Sequence, residues 1–116
     1  PWFGGGVGGL ALAMLLGGGL VGFAEESFFR GFLYAGLRER WGVGWAAVIS
    51  SAIFAALHLL PSVILPVFVM GILFCWLYER TGSLWPGIAL HATVNSLAFF
   101  GAYLLERYPG LANGGV

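Results

Sequence analysis

The sequence predicts an all-α, polytopic membrane bundle with about four transmembrane helices, and three observations carry that expectation. The composition is 59% hydrophobic and 9% charged, without a single Lys or Asp, and the mean hydropathy is +0.92. A soluble domain of this length buries only about two-thirds of the surface its unfolded chain exposes, too little to hide so much apolar side chain. The charge is also unevenly spread: residues 1–24 carry none, and from Trp41 to Tyr78 there is no Glu or Arg and one histidine, His58. Lastly, residues 1–24 hold nine glycines, which in water would argue against a helix. In lipid the backbone must satisfy its own hydrogen bonds, so helix is the open-ended solution.

The same figures exclude other classes. Net charge is zero, so there is no basic face for nucleic acid. One cysteine, Cys75, rules out an internal disulfide, and its apolar surroundings make it a packing residue. The chain opens on Pro1 with no basic n-region or cleavage site, so the expectation is a fragment of a longer protein: a membrane core at 1–105 whose upstream helices are missing, followed by a flexible tail at 106–116.

The first helix is expected from near Gly5 to about Arg40, longer than the ~20 residues of one crossing. Small-xxx-small spacings, Gly4/Gly8 and Gly5/Gly9, would let a neighbour approach. Arg38, Glu39 and Arg40 then emerge into water, and Trp41 and Trp45 flank a turn around Gly42 and Gly44, at the interface. A second helix at about 44–60 and a third at about 62–79 are divided by Pro61 and Pro66. Glu79 to Ser83 reads as a solvated turn, Trp85-Pro86-Gly87 opens a fourth helix at about 86–105, and Arg38, Arg40 and Arg80 mark the cytoplasmic side.

The chemistry is concentrated in few residues. Glu25-Glu26 and Arg30 lie at the end of the uncharged run, where an ionisable side chain costs roughly 2.5–3.5 kcal/mol and is seldom accidental. Glu26 and Arg30 are one turn apart and can pair, while Glu25 lies about 100° round the helix and faces elsewhere. Glu25 precedes Arg40 by 15 residues and His58 follows Gly44 by 14, so an antiparallel hairpin sets both about 21–22 Å from its turn. His91 and Asn95 share a helix face, but His91 starts only about 8 Å into its helix. It comes level only if the first hairpin protrudes by ~10 Å beyond the turn before that helix. Phe54 lies one turn before His58 and could wall its ring. Each group also has a structural reading: Glu26–Arg30 as a buried pair, His58 as a core histidine, Asn95 as interhelical glue.

Glu25-Glu26-x-x-x-Arg30, Phe54-x-x-x-His58 and His91-x-x-x-Asn95 together resemble the three ordered motifs of the CPBP intramembrane proteases, also called Abi. That family covers type II CAAX prenyl proteases and bacteriocin-processing or immunity proteins. Tyr78 to Pro86 also resembles bacterial members, and the similarity runs from about Val21 to Ala98. The resemblance implies an intramembrane endopeptidase acting on a prenylated or membrane-embedded peptide. In it Glu25 activates water, His58 helps hold it, and His91 and Asn95 stabilise the oxyanion. Glu26 and Arg30 support that geometry. It leaves open a zinc set of Glu25, His58 and His91 or a metal-free glutamate mechanism. It also implies a bacterial cytoplasmic membrane. Two other functions fit the same buried polar groups: a catalytically silent scaffold or immunity protein, and a small-solute or proton channel.

Overall fold

A computed structural model describes residues 6–114. Every element among them is helical: α1 (Val7–Ala13), wide π turns at Met14–Leu20, α2 (Val21–Glu26), further π turns at Ser27–Tyr34, α3 (Ala35–Ala56), a 3-10 turn at Pro61–Val63, α4 (Ile64–Thr81), α5 (Trp85–Arg107) and a 3-10 turn at Pro109–Asn113. Three stretches are long and apolar enough to cross a membrane, Val7–Ala56, Pro61–Thr81 and Trp85–Arg107. The first has 50 residues, about 75 Å of helix against a ~30 Å hydrocarbon core. It does not run straight, because Gly42 breaks it. The all-helical membrane fold is therefore the one expected. The start near Gly5 and the Gly4/Gly8 and Gly5/Gly9 pairs involve residues outside the described ones.

The chain divides into two compact units, residues 25–87 and residues 1–24 with 88–116. In the first, the chain reverses at Gly42, whose φ of 84° and ψ of 174° are open essentially to glycine alone. The reversal lays 43–56 antiparallel to 27–41. Tyr34, Ala46 and Cys75 close a small core with Leu37, Ala47 and Tyr78 packed around it, and the Phe29 and Phe54 rings meet edge to face at 5.0 Å. Helix α4 then packs along α3, and Gly71 meets Ser51. A Cβ at Gly71 would stand 2.9 Å from Ser51 Cβ and Oγ, so only glycine permits this approach. Gly82, left-handed at φ 66°, ends α4 with its N–H on the Tyr78 carbonyl.

In the second unit α5 lies against residues 17–22. A Cβ on Gly18 would strike Ser96 Oγ, and one on Gly22 would come to 3.2 Å from the Ala92 nitrogen. Gly18 and Gly22, four residues apart, thus form the small-residue interface that spacing alone had suggested further upstream.

Several expected boundaries move. The helix expected at about 44–60 ends at Ala56, which leaves His58 in the following turn. Pro66 does not break the chain but sits in the first turn of α4, where its missing N–H costs nothing. Helix α5 reaches Arg107, two residues past its expected end.

Candidate functional site

Within residues 25–87, Glu25, Phe29, Phe54, Leu57 and His58 line a cleft of about 280 Å³. The hairpin explains why they meet. Glu25 lies 17 residues before Gly42 and His58 lies 16 after it, so the fold-back brings both to the same cleft. Glu25 is half-buried, and His58 is exposed on the cleft wall. The His58 ring stands edge-on to Phe54, centroids 5.0 Å apart at 76°. Its Nδ1 lies 2.8 Å from the Phe54 carbonyl oxygen. A carbonyl can only accept, so Nδ1 carries a proton, and in the neutral ring the lone pair then falls on Nε2.

Glu26 and Arg30 form the ion pair their spacing allowed, Nε to Oε2 at 3.4 Å, with both side chains almost fully buried. The guanidinium lies in the corner of two aromatic rings set at 81° to each other, 4.5 Å from the Phe54 centroid and 4.9 Å from that of Phe74. Its Nη2 also donates to the Gly71 carbonyl at 3.4 Å. Arg30 thus fastens the helix of Glu25 to both α3 and α4. Phe54 serves two groups at once: its ring covers Arg30 while its carbonyl holds His58.

A second cluster closes the other end of this unit. Glu79 accepts from the Tyr34 hydroxyl at 3.0 Å and from Arg38 Nε at 2.8 Å. Arg38 Nη2 stands 2.6 Å from Glu79 Oε1. The stretch Glu79 to Ser83 is largely exposed, as the sequence suggested, and is tied down by a surface ion pair. Its acid is the partner of Arg38, 41 residues away. Arg80 lies over the Trp76 ring at 5.8 Å.

His91 and Asn95 belong to the second unit, one turn apart on α5. His91 is buried, and the Asn95 amide donates to the Gly17 carbonyl at 3.3 Å. That bond uses one amide proton and is the interhelical link the sequence allowed as a structural reading. Among the described residues, no three His, Cys, Asp or Glu side chains gather in a set that could hold a metal ion. The cleft itself offers one carboxylate and one imidazole, fewer than the three protein ligands of catalytic zinc sites.

Sequence reasoning missed Phe29, Leu57, Gly71, Phe74 and the Tyr34–Arg38–Glu79 cluster. The aromatic residues gave no signal against a background of ten phenylalanines. Arg38 and Glu79 could have been matched as the opposite charges at the two helix ends on one side.

Residues 7–97 match the family described as type II CAAX prenyl endopeptidase Rce1-like, and the chain belongs to that family. It is 33% identical over 84 residues to a protein of Bacillus subtilis (strain 168) named "Putative membrane peptidase YdiL". The match covers 72% of this chain but 34% of that protein, so the chain spans about a third of its relative's length. No solved structure matches.

Proposed function

We propose that this chain is the catalytic core of an intramembrane endopeptidase that hydrolyses a peptide bond with water activated by Glu25. The observation that carries this is the shared cleft, in which Glu25 and His58 stand on one wall system walled by Phe29 and Phe54. Family membership supports the reaction class. A carboxylate beside a neutral imidazole of fixed tautomer suits general-base work on a single water.

The steps use the chain's own residues. Glu25 takes a proton from water while His58 Nε2 accepts a hydrogen bond from the O–H that remains and holds the oxygen in place. The water oxygen adds to the scissile carbonyl. His91 and Asn95 are the oxyanion donors in this reading, each of a kind whose loss costs about 2.7–4 kcal/mol. The carbon–nitrogen bond then breaks as Glu25 returns its proton to the leaving amine. Glu26, Arg30 and Phe54 support the base without touching substrate. A divalent metal on Glu25, His58 and His91 is the rival chemistry, and no step here is routed through one.

The substrate class is a peptide that reaches the cleft from lipid, either prenylated or itself membrane-spanning. The setting is a bacterial cytoplasmic membrane with Arg38, Arg40 and Arg80 toward the cytoplasm, by the positive-inside rule. Cleavage of a prenylated peptide in nanodiscs is expected to fall by roughly 10²–10⁴ in Glu25→Gln and to survive a chelator. Full cleavage by Glu25→Gln would end the mechanism. Cleavage lost to the chelator and restored by zinc would assign the metal chemistry instead. Peptide binding without cleavage by the native chain would favour the silent scaffold.

A further inference from the structure

We propose that Leu59 is a positioning residue whose left-handed backbone ends α3 early and thereby locks the tautomer of His58. Leu59 has φ +59°, the single non-glycine positive φ among the described residues. For a residue with a Cβ this region is unfavourable by about 1–2 kcal/mol, and strain of this kind gathers at functional sites. Here it directly follows a candidate site histidine.

The hydrogen bonds show what the conformation achieves. Leu57 N–H still bonds the Ile53 carbonyl four residues back at 3.0 Å, as in any α-helix. His58 and Leu59 instead bond only three residues back, to Ala55 at 3.2 Å and Ala56 at 3.1 Å. In a continuing helix the Phe54 carbonyl would accept the His58 backbone N–H. The tightened end withdraws that donor, and the Phe54 carbonyl accepts the ring Nδ1–H of the same residue at 2.8 Å. Leu59 turns the chain away, and Leu60 is extended before Pro61, so the helix cannot resume. Had α3 continued to residue 60, the ring would have to share this acceptor with the His58 backbone N–H.

The side chain of Leu59 is 82% exposed and its hydrophobicity is not what the argument uses. That gives two opposed orders of substitution. If the backbone conformation matters, Leu59→Gly and Leu59→Asn, which tolerate positive φ, keep the site. Leu59→Ile, β-branched and disfavoured there, loses it. If the side chain matters, as an apolar contact for substrate or lipid, isoleucine keeps function and glycine loses it.

The proposal rests on His58 being a site residue, and the test separates it from the peptidase reading. The protein in lipid nanodiscs, labelled with ¹⁵N-histidine and assigned with a His58→Gln variant, reports the ring tautomer by NMR. The native chain and Leu59→Gly are expected to show one tautomer with the proton on Nδ1, and Leu59→Ile is expected to show averaged signals. In parallel, cleavage by Leu59→Ile falls about 10²-fold, the scale of a small misplacement of a catalytic group, and Leu59→Gly stays near native. An Nδ1–H tautomer unchanged in Leu59→Ile, or lost in Leu59→Gly, overturns the proposal. Should Leu59→Ile fail to fold, the glycine variant and Leu59→Asn still decide it. Should no variant cleave peptide, native chain included, the tautomer result stands and only the peptidase reading falls.

Discussion

At the scale of single residues, Arg30 does the most to define the site. A buried cation is tolerable only when paired and solvated by the protein, and here Glu26, the Gly71 carbonyl and the faces of Phe54 and Phe74 do that together. Arginine suits the place because its flat, weakly hydrated guanidinium both stacks and pairs. A lysine carries the charge without the plane. Arg30→Lys is therefore expected to fold with lowered thermal stability and cleavage. Arg30→Ala leaves Glu26 buried beside a void and is expected to cost about 3–5 kcal/mol. Thermal unfolding in detergent measures both, and an Arg30→Lys variant as stable as the native chain would show that the stacking carries no weight.

At the scale of elements, the Gly42 reversal sets the register. Its backbone angles exclude other residues, so Gly42→Ala is expected to lose about 1–3 kcal/mol. It should also lose cleavage, because Glu25 and His58 meet only through this fold-back. Native cleavage by Gly42→Ala would mean the register is held elsewhere, at the Tyr34–Arg38–Glu79 cluster. The reversal was legible, since paired tryptophans, two glycines and a run of charges converge at one place. Most helix extents were legible for the same reason, that long uncharged runs leave few choices in lipid. The early end of α3 was not, because Leu57-His58-Leu59-Leu60 has no glycine where a left-handed residue is needed. The weak hint was Pro61, which disfavours helix at Leu60. The π turns had no signature in composition, and the Arg38–Glu79 pair joins residues that local periodicity cannot relate.

At the scale of the molecule, the proposed topology turns Arg38, Arg40 and Arg80 toward the cytoplasm. Arg40→Cys, made in a Cys75→Ser background, is expected to react with a membrane-impermeant maleimide in inside-out vesicles and not in intact cells. The reverse pattern would invert the topology. The second leg of the hairpin, 43–56, is only about 21 Å long, short of a full crossing. Irregular backbone at such depth is tolerated only in protein or along a wet cavity, and the turn from Leu57 to Leu60 begins on the cleft wall. In the proposed mechanism Glu25 and His58 act as one unit on one water. The most direct test compares the cleavage rates of Glu25→Gln, His58→Gln and the double variant. Groups acting as a unit are non-additive, so the double variant is expected to be no slower than the slower single one. Losses that multiply would show two independent contributions and contradict the shared-water site.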